Sequence, residues 1–156
     1  MKLHDSIDIA AEAQIIWPYI ADPVLMSAWN PKIVSVGRDG ERPVEVGERF
    51  EMIYRLSRRD RETEVEVLEC TPPQRVVYRH HMQLEERRGY ADEIYDLSPR
   101  PAGTHLKQTI DMRRAGMPLI IRPLVWFVMR FGRPTGERYL EKLKRIVEES
   151  TIAKLS

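Results

Sequence analysis

Residues 75–97 read RVVYRHHMQLEERRGYADEIYDL and contain two alternating stretches joined by a charged turn. Side chains alternate across a strand, so every second residue of such a stretch faces the same side of a sheet. In the first stretch that row is Val76, Tyr78, His80, Met82 and Leu84. The second stretch runs from Tyr90 to Leu97, and the tight turn at residues 85–89 predicts that the two strands pair as an antiparallel hairpin.

Similar alternation on both sides of this hairpin predicts the rest of a sheet. The further predicted strands are residues 3–9, 32–38, 48–56, 62–70 and 104–112. Short polar links join most of these segments, and strands joined by short links usually pair as neighbours. The sequence therefore predicts an antiparallel meander.

Helical spacing replaces the alternation in three places. Residues 10–21 carry apolar side chains at helical intervals, and Pro18 predicts a helix that is short, kinked or late to begin. Asp22-Pro23 is typical of a helix cap followed by a first-turn proline, which predicts a second short helix through about Trp29. A long C-terminal helix is predicted from Met117 to about Glu149, with an interruption at residues 132–136 because of Pro134 and two glycines.

Composition limits the classes of function. The chain has 156 residues, enough for a single domain over residues 1–156, and its 25 Lys and Arg residues nearly balance 24 Asp and Glu. This balance gives no field that would attract nucleic acid. Cys70 is the single cysteine and no Cys/His cluster has zinc-site spacing, so we predict no disulfide, no metal site and no cofactor. The N-terminus lacks a signal-peptide pattern, and a cytoplasmic protein is the expectation.

Several stretches resemble one known superfamily in their order and spacing. They are residues 7–33 (IDIAAEAQIIWPYIADPVLMSAWNPKI), 44–52 (VEVGERFEM), 67–79 (VLECTPPQRVVYR), 97–110 (LSPRPAGTHLKQTI) and 139–148 (YLEKLKRIVE). Together they resemble the START-like SRPBCC superfamily, particularly its polyketide cyclase/dehydrase-like members. The resemblance implies an α+β helix-grip fold, in which a curved seven-stranded antiparallel sheet wraps around the long C-terminal helix and two short helices follow strand 1. It also implies a hydrophobic cavity between sheet and helix, and no universal catalytic residue.

A polar row is predicted inside that cavity. The resemblance points Ala91, Glu93, Tyr95 and Leu97 inward, and the alternation of residues 104–112 places Gln108 and Ile110 on the same side. We predict a hairpin register in which Tyr78 faces Tyr95, His80 faces Glu93, and Glu93 lies beside Gln108. Through Val65 the row would then reach Met52.

We therefore predict a ligand site in which His80, Glu93 and Gln108 form a polar cluster among apolar walls. The candidate ligand-binding residues are Trp29, Met52, Tyr54, Val65, Tyr78, His80, Met82, Glu93, Tyr95, Gln108 and Ile110. A buried carboxylate needs a partner, and His80 is the expected one. A purely structural His80–Glu93 pair is the alternative, and a one-residue slip would instead turn Glu93 to solvent and Asp92 inward. The charged residues of the neighbouring strands, among them Arg61 and Glu62, are expected on a solvated face.

Three interpretations of function remain open. The leading one is binding of a hydrophobic, aromatic or lipid-like small molecule between the sheet and the C-terminal helix. The second is a polyketide cyclase/dehydratase-type enzyme in which His80 or Glu93 is the acid or base. The third is a quinone or lipid chaperone that docks on a membrane through the apolar region around Trp126, although membrane contact is less favoured than a role in the cavity wall. A monomer and a homodimer both fit the sequence.

Overall fold

The computed structural model describes residues 1–56, 59–84, 87–116, 123, 127 and 138–155, and it has an α+β helix-grip fold. The strands are β1 (Lys2–Ile9), β2 (Ile33–Gly37), β3 (Arg49–Leu56), β4 (Arg59–Thr71), β5 (Arg75–Leu84), β6 (Arg87–Arg100) and β7 (Gly103–Asp111), and the helices are α1 (Ala13–Ala21), α2 (Pro23–Met26) and α3 (Tyr139–Leu155). The sheet order is β1-β7-β6-β5-β4-β3-β2, with every neighbouring pair antiparallel. The predicted seven-stranded meander is confirmed, with β1 added beside the last strand.

The two short helices follow from local sequence. The helix α1 begins at Ala13 rather than Ala10, so Pro18 lies in the middle of a nine-residue helix. Asp22 caps α2 because its Oδ1 accepts a hydrogen bond from the backbone N–H of Val24 at 2.9 Å. The helix α2 ends at Met26, and the residues up to Trp29 continue as turns instead of the longer helix predicted.

The core lies between the inner face of the sheet and the helices. The helix α3 contributes Leu140, Leu143 and Val147, each at most 2% exposed, and packs against β1 and α1. Two side chains of α3 also bond to the segment at the end of β1: Glu148 accepts from the backbone N–H of Ala10 at 2.8 Å, and Lys144 donates to the Asp8 carbonyl at 2.9 Å. The end of the sheet that carries β1 is thereby held to the C-terminal helix.

Part of the predicted C-terminal helix lies outside the described residues. Within residues 117–137 only Pro123 and Phe127 are described, and both are helical. The predicted break at residues 132–136 and the Trp126 region fall in the part that is not described. None of the described helices is long and apolar enough to cross a membrane.

Candidate functional site

A cavity of about 430 Å³ lies on the inner face of the sheet. Strands β3 to β7 supply most of its wall, and the segment before β2 and the first residue of α3 supply the rest. The described residues that line it are Asn30, Lys32, Tyr54, Asp60, Arg61, Glu62, Thr63, His80, Met82, Ala91, Glu93, Gln108, Ile110, Met112 and Tyr139. A cavity of several hundred Å³ with a few converging polar groups is typical of small-molecule sites.

Glu93 is the centre of a hydrogen-bond network on the buried side of this cavity, where its side chain is 7% exposed. Its Oε1 accepts hydrogen bonds from the Tyr95 hydroxyl at 2.6 Å and from Gln108 Nε2 at 2.7 Å. Its Oε2 lies 3.1 Å from Nε2 of His80. Gln108 Nε2 also donates to the Tyr95 hydroxyl oxygen at 3.0 Å, which closes the network. A buried carboxylate with three donors is a satisfied one.

These donors keep Glu93 ionised. Burial raises the pKa of the Glu93 carboxyl, but the hydrogen bond and charge of His80 lower it, as do the hydrogen bonds from Tyr95 and Gln108. The net effect is a pKa below the ordinary value of 4.5. The sequence alone left this direction undecided, because burial and pairing act in opposite senses.

His80 lines the cavity and has a second ring nitrogen that can form a hydrogen bond. An ionised carboxylate can only accept a hydrogen bond, so the Nε2 that faces Glu93 carries a proton. The other nitrogen, Nδ1, has no hydrogen-bond partner among the described residues, and His80 lines the cavity. In a neutral imidazole Nδ1 accepts a hydrogen bond, and in the imidazolium it donates one. A ligand hydroxyl matches either state.

Tyr54 adds a hydroxyl to the same wall. Its ring meets the His80 ring edge to face, with centroids 5.7 Å apart, and its oxygen accepts a hydrogen bond from Asn30 Nδ2 at 2.8 Å. The Oδ1 of the same Asn30 accepts from the backbone N–H of Lys32 at 3.1 Å, so a residue only 2% exposed holds the wall in place. Burial raises the pKa of Tyr54 well above 10, which keeps its O–H available as a donor.

The predicted hairpin register is wrong by two residues. Glu93 is directly opposite Tyr78, His80 is opposite Ala91, and Tyr95 is opposite Val76. In the next pair Glu93 is opposite Ile110, and Gln108 is opposite Tyr95. Leu84 pairs with Arg87, so β6 begins within the segment 85–89 that we predicted to be a turn. A shift of two residues keeps every side chain on its face, and diagonal contacts therefore still join His80, Glu93 and Gln108.

The predicted row toward Met52 is likewise displaced. Val65 is opposite His80 on one side and opposite Phe50 on the other, and Met52 is opposite Thr63. The inward face is unchanged.

The eleven predicted ligand-binding residues divide between cavity and core. Six of them line the cavity, namely Tyr54, His80, Met82, Glu93, Gln108 and Ile110. The other five lie in the core and are at most 3% exposed, namely Trp29, Met52, Val65, Tyr78 and Tyr95. Trp29, one of the predicted ligand-binding residues, is instead a core residue. Its indole N–H donates to the Tyr19 carbonyl at 2.8 Å, and its ring packs edge to face against Tyr95.

Sequence reasoning missed several lining residues, although a signal existed for some. Ala91 and Met112 continue the inward rows of β6 and β7, and Thr63 continues that of β4. Arg61 and Glu62 are exposed, as expected of a solvated face, but both also line the cavity, and Arg61 is opposite Tyr54 across the β3–β4 pair. Glu64 and Glu66 do face outward, where they pair with Arg49 at 3.2 and 3.1 Å.

The described residues offer no activated cysteine and no group of metal ligands. Cys70 is half-buried, its thiol donates to the Val44 carbonyl at 3.3 Å, and burial raises its pKa. Within the ranges that the structure describes, no three His, Cys, Asp or Glu side chains are placed to hold a metal ion.

Comparison with known proteins agrees with the fold. Residues 1–148 match the model of the family described as polyketide cyclase / dehydrase and lipid transport. The chain belongs to this family, within the SRPBCC superfamily. The family's fold suggests either hydrophobic ligand binding or a cyclase-type role. No curated protein matches the chain in sequence.

Solved structures resemble the chain over nearly its whole length. A protein from Mesorhizobium loti has a TM-score of 0.68 at 19% identity, covering 96% of this chain and 98% of its own. A protein from Chromobacterium violaceum has a TM-score of 0.68 at 19% identity, covering 94% and 96%. DynU16, a protein in the dynemicin biosynthetic locus, has a TM-score of 0.61 at 13% identity, covering 96% of this chain and 48% of DynU16. At these identities the likeness shows a shared fold.

Proposed function

We propose that the protein binds a hydrophobic small molecule that carries a hydroxyl or carbonyl group. The apolar body of the ligand would contact Met82, Ile110 and Met112, and its polar group would reach His80 and Glu93. The observation that carries the proposal is the ionised, buried Glu93 beside His80 on the wall of a cavity of about 430 Å³.

The polar cluster supports selectivity for one functional group. Glu93 Oε1 already accepts two hydrogen bonds, whereas Oε2 accepts one, from His80. Nδ1 of His80 and the Tyr54 O–H complete a set of polar groups with capacity for a ligand. A hydrogen bond to a charged group in a poorly solvated site favours a matching ligand over its apolar analogue by roughly tenfold or more.

A displacement assay tests this selectivity. The neutral fluorophore N-phenyl-1-naphthylamine reports cavity binding, and it is displaced by 2-naphthol or by 2-methylnaphthalene, which differ by a hydroxyl against a methyl group. We expect the wild-type protein to prefer 2-naphthol by roughly tenfold. Glu93→Gln should reduce this preference to about twofold, because the charged acceptor is lost.

The outer face of the sheet provides a matched control. Glu66 Oε2 lies 3.2 Å from His81 Nε2, so the same two residue types form a pair on the opposite face of β4 and β5. Glu66→Gln should leave the naphthol preference unchanged. An unaltered preference in folded Glu93→Gln would contradict the proposal, as would failure of the wild-type protein to bind any of the three aromatic probes.

A cyclase-type enzyme is the second candidate, favoured by the same His80–Glu93 hydrogen bond. With Nε2–H held by Glu93, a neutral His80 could take a proton from an acidic C–H at Nδ1, and Glu93 would stabilise the imidazolium formed. The Tyr54 O–H would donate to the adjoining carbonyl oxygen. Deuterium incorporation into a cyclic 1,3-diketone, faster with the wild-type protein than with folded His80→Phe, would support catalysis. Equal rates would leave binding as the function.

A further inference from the structure

Two cationic side chains, Lys32 and Arg61, line the cavity on either side of β3 and reach solvent at least in part, and we call this solvent-exposed rim the mouth of the cavity. Arg61 is exposed and is opposite Tyr54 across the β3–β4 pair. Lys32 precedes β2, where its carbonyl accepts a hydrogen bond from the backbone N–H of Arg55 at 2.7 Å. Both side chains line the cavity together with Tyr54. The mouth is therefore bordered by positive charge on its β2 and β4 sides.

Neither cation is neutralised within the part of the chain that the structure describes. Lys32 Nζ lies 5.0 Å from the centre of the Tyr139 ring, a contact that fixes an ammonium group without cancelling its charge. Arg61 forms no ion pair with another described residue. Asp60 also borders the cavity, but Arg55 holds its two oxygens at 2.7 and 3.0 Å. Glu62 is the remaining acidic group at the mouth.

The buried side of the cavity carries negative charge instead. Glu93 is an ionised carboxylate whose side chain is only 7% exposed, so it repels an anionic group more strongly than a surface carboxylate would. An anionic ligand group would consequently be disfavoured beside Glu93 and favoured near Lys32 and Arg61. The charge distribution orients a ligand along the cavity.

We infer that the ligand is an amphipathic organic anion whose acidic group lies at the mouth between Lys32 and Arg61, with its apolar body inside the cavity. This inference rests on the proposed function and specifies the class of ligand. A carboxylate, sulfonate or phosphate ester attached to an apolar skeleton satisfies it equally, because each accepts hydrogen bonds and charge from Lys and Arg.

Two fluorescent probes with one ring skeleton separate this inference from the proposed function. N-phenyl-1-naphthylamine is neutral, and 8-anilinonaphthalene-1-sulfonate adds one sulfonate. We expect the wild-type protein to bind the sulfonate more tightly, by about fivefold in dilute buffer. This preference should shrink in about 0.5 M NaCl, which screens exposed charges but not apolar contacts.

Charge-removing variants locate the effect. Lys32→Gln and Arg61→Gln should each weaken binding of the sulfonate by about threefold and change binding of the neutral probe by less than about twofold. Glu62→Gln is the matched control, because it removes a negative charge from the same rim and should strengthen sulfonate binding or leave it unchanged. Circular dichroism verifies that each variant is folded.

The outcomes distinguish the two claims. If the neutral probe binds but the wild-type protein shows no salt-sensitive preference for the sulfonate, the inference about the anion is wrong and the binding function stands. Parallel changes of both probes in Lys32→Gln and Arg61→Gln would also overturn it. If neither probe binds, the proposed function and this inference both fail.

Discussion

His80 and Glu93 meet diagonally across two strands, with 3.1 Å between Nε2 and Oε2, although His80 is directly opposite Ala91 and Glu93 is directly opposite Tyr78. On the outer face, His81, the residue after His80, forms a second His–Glu pair with Glu66 of β4, at 3.2 Å. The side chain of Glu93 is 7% exposed and that of Glu66 is 23% exposed. The face of the sheet, rather than the residue type, therefore separates a candidate ligand site from a surface pair.

The buried His80–Glu93 pair should stabilise the protein less at acid pH, and salt should change this effect little. The pKa of Glu93 is lowered below 4.5 in the folded state, so its ionised form stabilises the fold above the pKa of the unfolded chain. That contribution is lost as the pH falls through the lower, folded-state pKa. The difference in unfolding free energy between wild type and Glu93→Gln should consequently shrink between about pH 6 and about pH 3.

Urea titrations of both proteins at each pH measure this difference. The pKa of Glu66 is also lowered, mainly by its hydrogen bond to His81, so Glu66→Gln should show a change of the same sign. Because Glu66 is the more exposed of the two, about 0.5 M NaCl should reduce its effect and leave that of Glu93. Equal salt sensitivity of the two variants would contradict the burial argument.

Tyr95 should lower the pKa of Glu93, whereas Tyr78 should not. Both tyrosines are nearly fully buried, but the Tyr95 hydroxyl donates to Glu93 at 2.6 Å, whereas the Tyr78 hydroxyl donates to the Ile20 carbonyl at 2.8 Å. Tyr95→Phe should cost about 2 kcal/mol and raise the pKa of Glu93, which moves the acid-induced loss of stability to higher pH. Tyr78→Phe should cost about 1 kcal/mol without moving it. Chemical denaturation over a pH series measures both effects, and the same acid profile in the two variants would exclude a special role for Tyr95.

Alternation identified the strands, because period two is a local property of the sequence, and the family resemblance supplied the inward face of residues 90–97. It could not supply the register. The pairing of Leu84 with Arg87 depends on the geometry of the hairpin loop, and a two-residue error leaves every face intact. The three side chains predicted to cluster, His80, Glu93 and Gln108, therefore do come together, but with other residues directly opposite them than we predicted.

The sequence did not show which inward-facing residues line the cavity and which are buried beneath its wall. Tyr54 and Tyr95 belong to inward rows of similar composition, yet one lines the cavity and the other is fully buried. Trp29 covers part of Tyr95 by packing edge to face against its ring from a turn distant in sequence. Such contacts depend on tertiary packing, and no periodicity encodes them.

Asp22 should have the opposite pH dependence to Glu93. It is 1% exposed, and its Oδ2 has no hydrogen-bond partner among the described residues. Burial raises the pKa of Asp22 above 3.8, and the hydrogen bond from Val24 and the charge of Arg38 offset this only in part. When the pKa of a carboxyl is higher in the folded state, the protein becomes less stable as the pH rises above the pKa of that carboxyl in the unfolded chain. Ionisation then favours the unfolded chain.

Asp22→Asn removes this titration and retains a residue that caps helices well. Its stability relative to wild type should therefore improve between about pH 3.5 and about pH 7. Asp60→Asn is a control of opposite sign, since the hydrogen bond from Arg55 lowers the pKa of Asp60. Thermal unfolding at the two pH values measures the change, and a stability of Asp22→Asn that falls relative to wild type would show that the Arg38 interaction dominates.

Gly103 should be essential to stability and unimportant for ligand binding. It has φ +140°, and a Cβ built there would lie 2.1 Å from the Ile9 carbonyl oxygen, where β1 meets β7. Gly103→Ala should cost about 3 kcal/mol, because both the backbone angle and the contact with β1 must change. Gly40→Ala should cost about 1 kcal/mol, since φ is +75° there but no atom lies within 4 Å of the added methyl group.

On β7 the cavity residues are Gln108 and Ile110, several residues from Gly103, so the folded fraction of Gly103→Ala should bind N-phenyl-1-naphthylamine within about twofold of wild type. Urea unfolding and probe titration on the same sample measure the two effects, and a parallel loss of stability and affinity would mean that the β1–β7 edge also shapes the cavity.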